Sequence, residues 1–97
     1  MKRYVINELD VPERVADHIW DRHRIYTWQV YDAVDDPNTR MNEKTDRKHG
    51  RVLIARGRDR GGAPLILYMS FVDEKQGLYR LRTARRPDEN EYRRYFE

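Results

Sequence analysis

The stretch "RVLIARGRDRGGAPLILYMSFVDEKQGLYRLRTAR", residues 51–85, decides the fold. It contains three strand-like runs separated by two turn signals. "RVLIARG" (51–57) is apolar on both faces. "PLILYMSFV" (64–72) is the longest and most apolar block of the chain, which places it centrally. "RDRGGA" between them carries the glycines that a hairpin turn uses, and "DEKQG" supplies the second turn. "LYRLRTAR" (78–85) alternates. Tyr79, Leu81 and Thr83 are expected on one face, Arg80 and Arg82 on the other. Three consecutive strands with short turns predict an antiparallel meander.

Outward from this block lie helical signals. After it, Asp88 with Glu91 three residues on forms a capping box, and Tyr92, Tyr95 and Phe96 follow as an apolar face. Near the start, Asp10 followed by Val11-Pro12-Glu13 reads as a helix entry, with proline in the first turn where its missing N–H costs little. Val15, Ile19 and His23 recur at four-residue spacing, with Trp20 beside them, and predict a helix over 11–23. "IYTWQVYDAVDDP" predicts a second helix, with Thr27 as cap and Tyr26 and Tyr31 at staple spacing. Val30, Tyr31 and Val34 are expected to face inward. Pro37 stops this helix by restricting the residue before it. "RYVINEL" (3–9) reads as a short strand. Residues 37–50 are polar and aperiodic and read as a long loop, with a short strand near Thr39-Arg40-Met41.

The expected fold is therefore α+β, a single domain over residues 1–97. Two N-terminal helices pack on an antiparallel β-meander of three to four strands, and a short C-terminal helix follows.

At 97 residues the chain builds a modest core. Hydrophobic and charged residues each make up 38%, with the apolar ones in blocks, the pattern of a folded domain rather than a disordered one. The net charge is +3, unevenly spread. Residues 51–60 hold four arginines against one aspartate, and residues 80–86 hold four arginines and no acid. Such patches suit RNA or an acidic partner protein. There is no cysteine, so disulfides and thiol chemistry are excluded. Ser70 is the one serine and lies inside an apolar run, which argues against serine hydrolysis. "GRDRGG" lacks the spacing of a phosphate loop. His18 and His23 are five residues apart, off a common helical face, so no metal is expected. No cofactor is expected either. No segment reaches membrane-spanning length, and the N-terminus lacks the apolar run of a signal peptide. The expected location is the cytoplasm.

What remains is arginine, tyrosine, histidine and lysine. That set can cleave RNA, because the ribose 2′-OH is itself the nucleophile. The protein need supply only a base, an acid and positive charge for the phosphorane. Arg85 reads as a phosphate clamp or as the ion-pair partner of Glu91. His23 reads as a proton-transfer group or as a histidine at the negative end of a helix. His49, with Lys48 beside it, reads as a proton-transfer group or as part of a surface loop. Arg56 and Arg58 alternate onto one face and join Arg80 and Arg82 if the registers agree. Together with Arg86 they are candidates for the RNA backbone or for an acidic protein segment. Tyr95 reads as a packing residue or a catalytic one. Trp20 and Trp28 read as core or interface residues rather than base-stacking platforms.

Three segments together resemble the BrnT family, ribonuclease toxins of bacterial type II toxin–antitoxin modules with a RelE-like fold. "HIWDRHRIYTWQVYDAV" is similar to the family's helix, Lys-His-Gly turn and second helix. Arg22 stands where the family has lysine, and Arg24 where it has glycine. "RVLIARGR" and "LILYMSF" follow the family's strand, hairpin and strand. "YRLRTARRPDENEYRRY" is similar to its final strand and helix, with Thr83, Ala84, Arg85, Arg86, Glu91 and Tyr95 in register and Asp88 in place of a threonine cap. The resemblance covers roughly residues 12–96. It implies an mRNA endoribonuclease, neutralised by a cognate DNA-binding antitoxin and paired with itself within that complex. It also admits a degenerate member that binds RNA or protein without cutting.

Overall fold

The computed structural model of the chain describes residues 3–97. In chain order the elements are β1 (Glu8–Asp10), α1 (Glu13–His23), α2 (Thr27–Asp35), β2 (Arg40–Asp46), β3 (Gly50–Arg58), β4 (Pro64–Asp73), β5 (Leu78–Arg85) and α3 (Glu89–Tyr95). The fold is α+β. Its five strands form one sheet in the order β1-β5-β4-β3-β2. β2 to β5 make an antiparallel meander, and β1 adds in parallel at the β5 edge. The sheet is thus mixed, with more strands than the expected three to four.

Two of the extra pairings correct the sequence reading. Most of the expected loop over 37–50 is β2. It is an edge strand of charged and polar side chains with Met41 as its one apolar residue, so it carries almost no hydrophobic signal. The short strand expected over 3–9 shrinks to Glu8–Asp10, where Asp10 pairs with Arg80 instead of capping a helix. Val11 and Pro12 stay extended, and α1 begins at Glu13 rather than at residue 11. α2 takes Tyr26, not Thr27, as its N-cap, with the Tyr26 N–H donating to Gln29 Oε1 at 2.8 Å.

The sheet's two faces differ. On one, α1 lies against β5 and α2 against β3 and β4. Val15, Ile19, Val30 and Ala33 from these helices meet Leu53, Ala55, Leu65, Leu67, Met69, Tyr79, Leu81 and Ala84 from the sheet. Burying a side chain of this size stabilises by about 1.5–3 kcal/mol, so this layer holds the fold. Tyr31, expected inside, is 40% exposed. Its hydroxyl reaches only the Leu9 carbonyl, at 3.1 Å. The place alongside Val30 goes to buried Gln29, whose amide donates to buried Asp59 at 2.8 Å. Burial alone would push Asp59 up, but the hydrogen bonds from Gln29, Ala63 and Gly61 outweigh it and hold the carboxyl below its usual range.

On the opposite face the buried apolar set among the described residues is Val52, Ile54 and Ile66, joined by Tyr68 and Phe96. α3 therefore sits across the sheet from α1 and α2, not on the main core as its apolar face suggested, and it buries none of its own residues. Its capping box does form. Asp88 Oδ1 accepts from Glu91 N–H at 2.8 Å, and Glu91 Oε1 accepts from Asp88 N–H at 3.0 Å.

Two backbone positions fix the layer. At Gly57 a Cβ would collide with the Ala33 carbonyl, so only glycine lets the end of α2 rest on β3. Arg24 closes α1 in the left-handed region, with φ 54. Two stability changes of opposite sign are expected by denaturant unfolding. Gly57→Ala destabilises by about 1–3 kcal/mol, because backbone must move. Arg24→Gly stabilises by about 1 kcal/mol, because glycine adopts φ > 0 without a Cβ penalty.

Candidate functional site

β5 does not alternate throughout. Tyr68 pairs with Thr83, but its neighbour Met69 pairs with Leu81, so Arg82 is an extra residue in a β-bulge. Tyr79 and Leu81 point into the core before the bulge, and Ala84 does so after it. Thr83, expected with Tyr79 and Leu81, moves to the other face. Arg85 moves with it, away from the core and onto the face that α3 borders.

The registers then line up a row across four strands. Arg40 faces Arg56, Arg56 faces Ile66, and Ile66 faces Arg85. Strands lie about 4.8 Å apart, so three arginines span roughly 14 Å of one face. Arg40 and Arg56 are directly opposite each other, an arrangement that costs stability unless something negative relieves it. Arg56 donates to Asn42 Oδ1, and its guanidinium lies 4.0 Å from the centre of the Tyr95 ring. Its Nε is buried with no hydrogen-bond partner among the described residues. Arg58 is tied to the chain end, donating to the carbonyls of Gly62 and Phe96 at 2.8 Å each. A cleft of about 640 Å³ opens beside the row, with Arg40, Arg56, Arg58, Asp35, Tyr95 and Phe96 in its lining.

At the far end of the row, Arg85 is held by Glu91. Its two terminal nitrogens donate to the two carboxylate oxygens at 2.6 and 2.7 Å. The ion pair that the sequence offered as one reading of Arg85 is therefore present. Arg85 Nη2 also donates to the Tyr68 hydroxyl oxygen at 2.8 Å, which leaves the phenolic proton available to another acceptor. Half-buried His23 closes α1 near this end. Burial lowers its pKa below 6.5, and the charges of His18, Arg85, Arg22 and Arg86 lower it further. The neutral imidazole is the favoured form. Exposed Arg86 donates to the Arg24 carbonyl at 3.3 Å.

The other candidates are dispersed. Lys48 and His49 sit in the β2–β3 turn, with His49 Nδ1 3.4 Å from Asp46. His49 is seven residues before Arg56, over ~20 Å away along the strand, so it does not share a site with Arg85. Arg80 is on the arginine face but belongs to a different row, opposite Ser70, and pairs with Asp10 at 2.8 Å. Arg82 is 3.5 Å from the Ser70 hydroxyl. Arg56 and Arg58 thus share a face with Arg80 and Arg82 but not a register. Trp20 and Trp28 are not in the core; they are 36% and 50% exposed. Among the described residues, no group of three or more His, Cys, Asp or Glu side chains is placed to hold a metal ion.

Two site residues escaped the sequence reading. Arg40 was read in a short strand near residues 39–41, where β2 does begin, but not as a site residue, though the alternation Arg40, Asn42, Lys44 was a weak signal for one charged strand face. Tyr68 was hidden inside an apolar run. No family model matches the chain, and no curated protein matches it.

The Glu91–Arg85 pair gives α3 a pH dependence. Hydrogen bonds from Arg85, then from the Asp88 N–H, hold the Glu91 carboxyl at about 2, against 4.5 unperturbed. A depressed carboxyl stabilises fully above the unfolded value and loses that contribution as pH falls through the folded one. Amide-exchange protection at Tyr92 and Phe96 is expected to fall between pH 4.5 and 2 in the unaltered chain. Glu91→Gln should start lower and stay flat across that window.

Proposed function

We propose that the protein is a metal-independent endoribonuclease, a toxin similar to the BrnT family with a RelE-like arrangement of helices on a meander. The observation that carries this reading is the row Arg40–Arg56–Arg85 on one sheet face, with Tyr68 at its Arg85 end; His23 ends α1 in the helical layer, near enough for the charge of Arg85 to lower its pKa. Three guanidiniums in line offer contacts to the phosphates of a single strand, and the planar fork of each suits a phosphate's paired oxygens.

The reaction follows from the groups present. The 2′-oxygen attacks the adjacent phosphorus while a base takes its proton. The 5′-oxygen leaves with a proton from an acid, giving a 2′,3′-cyclic phosphate and a free 5′-hydroxyl. Neutral His23 is suited to be the base. Arg85 stabilises the charge that gathers on the phosphorane oxygens. Tyr68, with its proton free, is placed to donate to a phosphate oxygen or to the leaving group. Tyr95 holds Arg56 in position through its ring. RNA must displace Glu91 from Arg85, so the carboxylate competes with the phosphate for one fork.

The proposed setting is the bacterial cytoplasm. The proposed partners are RNA, a cognate antitoxin protein and a second copy of the toxin within that complex. A second reading, a binding module on the same fold that does not cut, draws on the closed Glu91–Arg85 pair, which occupies both terminal nitrogens.

Incubation with RNA and with its 2′-deoxy copy separates the two readings. Cleavage of RNA alone, unchanged by EDTA, is expected. Cleavage of neither leaves the binding module, and equal cleavage of both refutes 2′-OH attack. Arg85→Ala should lower kcat/KM by ~10²–10³, the scale of losing one oxyanion donor. The acid limb of kcat/KM should lie below pH 6.5 and disappear in His23→Ala.

A further inference from the structure

Three aromatic side chains at the α1–α2 junction are stacked in the open. The Trp20 and Tyr26 rings are 4.5 Å apart at 30°, and the Tyr26 and Trp28 rings 6.2 Å apart at 16°. Their exposures are 36%, 50% and 50%. An aromatic patch left in water on a small protein marks a contact surface. Tyr26, placed by its sequence position to staple onto Tyr31, joins this column instead.

The column is bordered by arginine. The Arg24 guanidinium lies 5.1 Å from the Trp20 ring, and that of Arg60 lies 6.0 Å from the Trp28 ring. Arg60 is held by Asp32, which accepts from its Nε and Nη2 at 3.2 Å each, yet its side chain remains 80% exposed and open to a ligand. Arg24 holds the left-handed backbone conformation that glycine adopts more cheaply, and there it brings a guanidinium to Trp20. Its carbonyl takes the hydrogen bond from Arg86, the residue after Arg85. A continuous path therefore runs from Arg85 through Arg86 and Arg24 to Trp20, Tyr26, Trp28 and Arg60.

We propose that this column is a base-stacking platform for single-stranded RNA whose phosphates lie on the arginine row. The proposal rests on the ribonuclease reading and extends it: it assigns where the unpaired bases beyond the scissile bond are held. Stacked rings bind bases of any identity, because every base has a π-face. Guanidiniums against the two outer rings supply the contacts to the charged backbone. The arginines at both ends of the column favour this polyanion over a protein partner.

The chain has two tryptophans, and both are in the column, so tryptophan emission, excited beyond the tyrosine band, reports on this surface alone. The probe is a 2′-O-methyl oligoribonucleotide of about ten nucleotides, which 2′-OH attack cannot cut and which is long enough to cover both surfaces. A version of about four nucleotides, whose phosphates can fill the arginine row but not reach the column, is the control. The long probe should quench tryptophan emission saturably in the unaltered protein. Trp28→Ala should weaken long-probe binding by roughly tenfold, within the range expected for one stacked base, and leave the short probe unchanged. Long-probe binding with unchanged emission, equal in Trp28→Ala, overturns the platform and leaves the arginine row standing. Failure of both probes to bind the unaltered protein overturns the RNA reading and the platform with it. Concentration-dependent dimerisation that Trp28→Ala abolishes, without quenching by RNA, makes the column a protein contact and overturns the proposal. The quenching measurement needs no variant, so a misfolded Trp28→Ala does not blunt the test.

Discussion

Side chains on a pleated strand alternate between faces with a period of two, and the candidate site depends on how β5 breaks that period at Arg82 and Thr83. Regular alternation from Tyr79 and Leu81 would carry Thr83 and then Arg85 into the apolar core. An unpaired guanidinium there would be far too costly. The extra residue resets the phase: Ala84 fills the core position, and Arg85 emerges in line with Ile66, Arg56 and Arg40. The same shift brings Arg85 to Tyr68 and to Glu91 of α3.

The two faces of the sheet divide the work. The face covered by α1 and α2 holds nearly all the buried apolar residues, and so nearly all the hydrophobic stabilisation. The other face is left free to carry charges that no core would accept. α3 attaches there mainly through polar and ring contacts: the Glu91–Arg85 pair, the Arg56–Tyr95 stack and the Arg58–Phe96 hydrogen bond. An element held by such contacts and burying none of its own residues belongs to the low-stability end of a structure. The Glu91 carboxylate also neutralises Arg85, and in the proposed reading a phosphate would take its place, so the same ion pair would link the attachment of α3 to the availability of Arg85.

Much of this was legible in the sequence. The apolar runs of β3 and β4, the stripe Val15–Ile19 and the box Asp88–Glu91 each carry a local signal strong enough to fix their element. β2 and β1 were not legible, or only in part. An edge strand such as β2 needs no apolar face, and β1 is three residues held by pairing with β5 alone. The geometry around Arg85 was legible only in part, for the same reason. Arg85 and Glu91 stand six residues apart and were visible as a pair. The alignment of Arg85 with Arg56 and Arg40 depends on register and on the bulge, which no local pattern encodes. His49 looked equivalent to His23 in sequence, and only the direction of β3 shows that it lies at the other end of the sheet.

The central claim is that Arg40, Arg56 and Arg85 form a single anion-binding row. The most direct measurement is the proton–nitrogen correlation spectrum of the arginine Nε groups, titrated with a 2′-O-methyl oligonucleotide of about four nucleotides. Arg56 Nε has no partner among the described residues, and the terminal nitrogens of Arg85 are held by Glu91. Shifts at Arg40, Arg56 and Arg85 that saturate together, with Arg80 unmoved, are the predicted result. A response confined to other arginines, with Arg56 and Arg85 unchanged at saturation, would contradict the account.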